Sequence, residues 1–302
     1  MSRFVLSAAG LLACSLSASA GILNDYNLIV LNDLNSNSEV EGRAFVGGNI
    51  VGGDASNYGV MLSPESAYST IDVLTVVGNI SAGNPLNIDA GDLRLGGTLG
   101  RIVNFNGPGG NLVNDPGVGS LLAGVSAALT GASSAMLTLT ADSTASIPSG
   151  QPGPVVFNCT PGGDGIAVFN VSGSQVLSNN LTQELNLNLN GATSVVINVS
   201  GTTVNFNQGN MTGTWNTAFA RANVIWNFFE ATSLTIDRAM NGAVLAPLAH
   251  LTNFSVIEGS TFVKSFHQRA EVHLPGYTGF VPAPGTVSAL ALAGLVAGRR
   301  RR

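Results

Sequence analysis

The chain is short of positive charge. Among its 302 residues there is one lysine, Lys264, and the formal net charge is −5. Arg3 and Arg299, Arg300, Arg301 and Arg302 lie in the end segments, so the body between them holds seven basic residues against seventeen acidic ones. That excludes the basic footprint of a nucleic-acid binder. Lys264 follows "STFV" and no glycine loop, which excludes a P-loop. Charged residues of both signs amount to 10%, against roughly 25% in an ordinary domain. Histidine is scarce too: His250, His267 and His273 form no HExxH, and a zinc site would have to draw ligands from distant parts of the chain. "GNISAG" around Ser81 carries Asn79 where a nucleophile elbow needs glycine. Glu39 with Glu41, and Glu271 with His273, are i, i+2 pairs of the kind that surfaces commonly carry. No catalytic residue, metal site or cofactor is expected, although scattered Asp residues leave a single calcium ion open.

What is abundant is small and polar or aliphatic. Glycine numbers 38 and hydrophobic residues reach 45%. Short β-patterned runs recur between glycines: "AFVGGNIVGG" (44–53) is echoed by "TVVGNISAGN" (75–84). Leu185, Leu187 and Leu189 alternate with Asn186, Asn188 and Asn190, a period of two that buries one face and leaves an asparagine row on the other. Gly242 and Gly259 open similar apolar strands. One segment breaks the pattern. Asp115 as N-cap and Pro116 at the first position predict a helix whose stripe is Leu121, Leu122, Val125, Ala128, Leu129 and Ala132. "STASIPSGQPGP" (143–154) reads as a loop. The pattern predicts a mainly β fold, a parallel β-solenoid (β-helix) with one packed α-helix, its corners turned by Gly and Asn in left-handed conformations. A β-sandwich is the alternative and predicts hairpins between neighbouring strands.

The ends read as addresses. Arg3, an apolar run and Ala18-Ser19-Ala20 form a signal peptide over residues 1–20. Cleavage after Ala20 by signal peptidase leaves only Cys159, so no intrachain disulfide forms, and Cys159 is expected to be buried. A loose lipoprotein box ending at Cys14 leaves lipidation open. Residues 281–302 hold an apolar stretch, Val287 to Ala297, shorter than the ~20 residues of a membrane span, followed directly by four arginines. This layout resembles a PEP-CTERM sorting signal in which Pro282-Ala283-Pro284 stands for Pro-Glu-Pro. The resemblance implies a Gram-negative-type bacterium, a transient inner-membrane anchor, an exosortase-type enzyme, and a cell-surface or extracellular product.

The body, residues 21–280, resembles the choice-of-anchor A domain in four ordered blocks. The first is Glu41, Gly42, Arg43, Gly47, Gly48 and Asn49. The second is Trp226, Asn227, Phe228, Glu230, Ala231 and Thr232. The third is Gly242, Leu245, Ala246 and Pro247, and the fourth Glu258, Gly259, Glu271 and His273. Members of that family resemble adhesive domains, and the "GAVLAP…EGS" style is similar to ice-binding β-solenoids that carry a helix along one side. The resemblance supplies no catalytic residue. The block residues are expected to be structural: Glu230 accepting from corner amides or from Arg221 or Arg238, Pro247 ending a strand.

The function expected is that of a non-enzymatic, exported surface or matrix protein, including biofilm matrix. It would bind a glycan or matrix ligand through a polar Asn/Thr/Ser solenoid face. A β-helix polysaccharide lyase or hydrolase and an ice-binding protein are the alternatives. Intact-mass measurement of the mature protein from its native cell is expected to show a chain without residues 1–20 and without Arg299–Arg302; a surface form that retains the four arginines refutes the sorting signal.

Overall fold

The computed structural model describes residues 21–63 and 69–282. Ala18, Ala20, Ala283, Pro284, Cys14 and the four terminal arginines fall outside them.

The described chain is a three-sided parallel β-solenoid. One coil shows the plan: Leu28–Val30 lies on a first face, Leu34–Ser36 on a second and Glu39–Val40 on a third. The next coil repeats it with Ala44–Val46, Ile50–Val51 and Ser56–Tyr58. Each strand pairs in parallel register with its counterpart, as Leu28 does with Ala44 and Val40 with Tyr58. Stacking places like against like, so aliphatic side chains fill the inside: Leu28, Val30, Leu34 and Val40 have no exposed surface. The sandwich alternative fails here. The "LNLNLN" strand, Thr182–Asn188, runs parallel to both Gly153–Asn158 and Asn210–Met211.

Stacking order does not follow chain order. Along the first face the strands run Leu112–Asn114, Leu93–Leu95, Leu74–Val76, Ala44–Val46, Leu28–Val30, Thr261–Gln268, Ala243–Asn253, Val224–Asn227, Ser194–Ser200 and Ile166–Ser172. The chain therefore starts in the middle and builds one stack outward to residue 114. A helix, α1 (Ser120–Leu137), returns it along the first face. The second stack then grows from the far end back to the middle. It closes when Thr261–Val263 pairs with Leu28–Val30.

First-face strands in the middle of the stack, such as Leu28–Val30 and Ala44–Val46, are buried on both sides, which is why they read as unbroken apolar runs. Leu28 and Val30 point inward, while Ile29, Phe45, Val196, Ile225, Leu245 and Phe262 point outward beneath α1. α1 buries Val125, Ala128, Leu129, Ala132, Ser133 and Met136. The expected stripe is rotated: Leu121 is 50% exposed, and Ser133 and Met136 replace it. The expected N-cap is also displaced. Asp115 does not cap α1, which starts at Ser120 after Gly119. Asp115 is held instead by the last coil: its N–H donates to Leu95 O, its Oδ1 accepts from Gly117 N, and its Oδ2 pairs with Arg94 at 3.0 Å.

Buried amides fasten α1. Asn227 Nδ2 donates to Ser133 O (2.9 Å) and Asn198 Oδ1 (2.8 Å), and Ser133 Oγ donates to Asn227 Oδ1 (2.6 Å). Asn198 Nδ2 donates to Met136 O and Asn170 Oδ1, both at 3.0 Å. Asn170, Asn198 and Asn227 stand on adjacent coils at the same register position. Asn198 and Asn227 thus offer the helix backbone the polar contacts that an apolar sheet face cannot, and Asn170 extends the stack by accepting from Asn198.

The corners meet the expectation in part: Gly52, Gly91, Gly191 and Asn190 adopt positive φ, but Gly47 and Gly48 are not in the left-handed region. Glycine is needed there for close approach: a Cβ on Gly48 would sit 2.5 Å from Asp33 Oδ1, and one on Gly78 2.5 Å from Asn49 Oδ1. Beside these glycines Asp33 Oδ1 accepts from Asn49 N (2.7 Å), Asn49 Oδ1 from Asn79 N (2.8 Å), and Asn79 Oδ1 from Thr98 N (2.8 Å). Pro247 ends no strand either: Ala243–Asn253 runs through it, with a register shift between Ala246 and His250 where the chain turns from first to second face. The expected loop 143–154 contains Thr144–Ser146, which pairs antiparallel with Gly153–Asn158 and closes the far end.

Replacing Asn227 by alanine is expected to destabilise the fold by about 3 kcal/mol, because it strands buried partners on α1 and on Asn198. Replacing exposed Asn188 in the same way should cost under about 1 kcal/mol. Urea unfolding of both variants checks the contrast.

Candidate functional site

The three faces differ in what their outward side chains are free to do. The first is covered by α1. The third carries a ladder of amides that bond mainly to each other. Asn57 donates to Glu39 (3.5 Å), Asn87 to Asn57 Oδ1 (2.7 Å), and Asn104 to Asn87 Oδ1 (3.0 Å). In the second stack Asn188 donates to Asn158 Oδ1 (2.7 Å), and Thr212 to Asn186 Oδ1 (2.8 Å). The asparagine row read from "LNLNLN" is therefore part of a self-satisfied wall.

The second face is different. Its register sets two outward columns. Thr203, Ser233, His250 and Ser265 form one; Asn205, Thr235, Thr252, His267, Asn35 and Val51 form the other. Between them Val204, Leu234, Leu251, Phe266, Leu34 and Ile50 point inward and hold the strands straight. Neighbours along a column lie ~4.8 Å apart and the two columns about 7 Å apart, the spacings of any in-register sheet. Among the described residues the side chains of Thr203, Asn205, Ser233, Thr235 and Thr252 make no hydrogen bond. His250 bonds to Ser265 Oγ at 2.9 Å. Burial, then the charges of Arg269 and His250, lower the pKa of His267, so its imidazole is neutral at pH 7. The columns hold no Asp, Glu, Lys or Arg, and Lys264 and Arg269 stand exposed at the corners.

Carboxylates converge elsewhere, at the seam between the two stacks. His273 Nε2 lies 2.6 Å from Glu271 and 3.8 Å from Glu41, and its Nδ1 lies 3.4 Å from Glu258. Glu258 also pairs with Arg221 at 2.9 Å, and Arg221 bonds to Asn241. Glu41 Oε2 accepts from Leu274 N (2.7 Å), while Asn27 donates to His273 O and accepts from Gly42 N. Glu41 and Gly42 come from the first coil, Glu258 and His273 from the last ones. The first and fourth blocks therefore meet across the seam. Gly42 has no room for a Cβ, which would lie 2.6 Å from that of Asn27. Gly259 stacks on Gly242, where an added Cβ would come within 2.8 Å of backbone.

The remaining block residues are packing and corner elements. Trp226 stacks on Trp215 with ring centroids 5.3 Å apart, and its indole N–H donates to Asn241 O. Glu230 accepts from the corner amide of Gly201 at 2.7 Å. Cys159 is buried, and burial followed by the charge of Asp142 pushes its pKa up to about 12, which leaves no thiolate at neutral pH. Among the described residues no group of three His, Cys, Asp or Glu side chains is arranged to hold a metal ion. Sequence reasoning missed the second face because its residues come from six separate stretches. The only local signal is polar–apolar–polar triplets such as "TVN", "SLT" and "HLT".

Burial by itself would lower the pKa of His273, but the Glu271 hydrogen bond and the charges of Glu41 and Glu258 raise it overall. The stabilisation belongs to the protonated ring. It is complete below the unfolded value near 6.5 and is lost as pH rises through the higher folded value. Unfolding free energy is expected to fall as pH rises past the unfolded histidine value near 6.5 and through the higher folded one, and His273→Gln is expected to flatten that slope in denaturant titrations.

A family model described as "Putative Ice-binding-like adhesive domain" matches residues 19–274. No curated protein matches the chain. Among solved structures, the crystal structure of an ice-binding protein from the Antarctic ascomycete Antarctomyces psychrotrophicus aligns over 85% of this chain and 97% of its own, with 13% identity and a TM-score of 0.29.

Proposed function

Because the chain belongs to the ice-binding-like adhesive domain family, we propose that it is a non-enzymatic adhesive protein whose second face binds an extended, repetitive polar surface. The observation that carries this reading is the contrast between walls. Third-face amides are spent on one another, whereas Thr203, Asn205, Ser233, Thr235 and Thr252 keep donors and acceptors open on a flat, uncharged ladder. Such a ladder matches a ligand that itself repeats, such as a packed glycan chain or a matrix fibre. Each contact is weak, and many in register add up. With few charges involved, binding depends little on salt. In this reading the protein is exported by way of residues 1–20. An exosortase-type enzyme then processes the tail after Pro282, leaving the solenoid at the cell surface or in the matrix.

The ice-binding reading is favoured by one specific feature, the hydroxyl-rich Thr-x-Asn, Ser-x-Thr and His-x-Thr triplets facing outward on successive coils. Two histidines and Val51 interrupt that regularity.

The expected outcome of pull-down on insoluble polysaccharides and matrix polymers is binding that falls at least tenfold in Thr203→Arg/Thr252→Arg, whose positions are not register partners, with the melting temperature unchanged. Asn87→Arg on the third face should bind normally. Release of soluble oligosaccharide overturns the non-enzymatic reading, and thermal hysteresis in dilute solution, lost in the same double variant, replaces the glycan ligand with ice.

A further inference from the structure

The two ends of the solenoid are finished differently. At the far end Thr144–Ser146 covers the edge of Gly153–Asn158. Asp142 and Ser143 N–H groups donate to Val168 O, and Asp142 Oδ1 accepts from Val168 N. At the near end Val103–Phe105 and Leu112–Asn114 are the last strands of their sheets, and no described strand pairs with their outer edges. Their register shows which groups are left over. Ile102 O accepts from Leu86 N and Asn106 N donates to Ile88 O, so alternate residues face the neighbouring coil. The backbone N–H and C=O of Val103 and Phe105 consequently point off the end. By the same alternation, from Asn111 O and Asp115 N, so do those of Leu112 and Asn114.

Natural edges are usually guarded by charge, proline or a covering segment. Residues 102–114 hold no Asp, Glu, Lys or Arg, and their one proline, Pro108, lies between the strands. Apolar surface lies open beside the edge: Ile102 is 67% and Leu99 37% exposed, and Val103, Phe105 and Leu112 are only half-buried although they line the core.

We propose that this near end pairs with the same end of a second copy of the chain, forming a two-fold dimer centred on Asn104. Two observations select that occupant, and a contact between like ends closes at two copies. The chain is net negative, −5, and copies meeting at an uncharged end avoid that repulsion. The terminal coil, residues 96–114, presents 19 residues, close to the roughly 20 a side at which specific interfaces begin. A two-fold axis at Asn104 runs the paired strands antiparallel. Val103 then exchanges both backbone bonds with Phe105 of the second copy, and the two Asn104 side chains stand directly opposite as a non-hydrogen-bonded pair. The two-fold continues the third face across the dimer and exchanges the positions of the other two, so each copy presents its own second face on a different side.

The test is sedimentation velocity of the full chain over a roughly hundredfold concentration range. The expected result is a monomer–dimer equilibrium. Asn104→Lys alone and Asn104→Glu alone should both be monomeric, because each puts like charges face to face, and an equal mixture of the two should recover the dimer. Asn104→Ser, which removes the amide without adding charge, should dimerise like the parent and so separates edge pairing from loss of the third-face ladder. A parent chain that stays monomeric throughout overturns the proposal. So does a dimer indifferent to Asn104→Lys, or one that grows into longer oligomers.

Discussion

The parallel pairing of Leu28–Val30 with Thr261–Val263 is the contact on which the rest of the molecule depends. Each stack grows coil upon coil by local steps, and the two are joined where the last coil meets the first, by this pairing and by those of Leu34–Ser36 with Phe266–Gln268 and of Val40 with Val272. It brings together residues more than two hundred positions apart, as Asn27 shows by bonding to Gly259 O and His273 O. Closing so long a loop is entropically expensive. The seam answers with buried backbone pairing on the first two faces and with the Glu41–His273–Glu258–Arg221 network on the third. Conserving register across the seam also keeps the second-face columns continuous, with His267 of the last coil standing beside Asn35 of the first.

A coil that stacks in register must place identical positions over one another, and the molecule uses that repetition in three ways. Where a helix lies on top, the stacked position is a buried asparagine, which can serve both its neighbours and the helix backbone. Where the wall faces water without a ligand, the stacked asparagines bond to each other. Where the face is flat and uncovered, the stacked positions are threonine, serine, asparagine and histidine without mutual bonds in most coils. The same backbone thus carries a packing face, a face whose amides bond to one another and a face whose polar side chains are largely left open. The difference lies in whether the outward side chains are already satisfied.

Much of this was legible in the residues. Period-two alternation at Leu185–Asn190 and the echo of "GGNI" by "GNI" require stacked short strands, because each such strand has one apolar side and needs a neighbour of its own kind. The helix was legible as an apolar stripe, but not its start. Asp115 is an ideal cap by residue type, yet Arg94 and Leu95, on the coil before it, claim it for the sheet. Pro247 misled in the same way, since the corner it occupies is defined by the coils on either side.

Residue order alone determined that this chain would stack short parallel strands around an aliphatic interior and leave a weakly charged polar surface. Those properties follow from alternation and composition, which are local. Tertiary structure alone decided that the stacks grow in opposite senses from a shared seam, that α1 covers the first face, and that the asparagine rows are spent while the Thr203–Thr252 columns stay open. Whether a polar side chain is satisfied depends on what the next coil places beside it, and that neighbour is brought near only by folding.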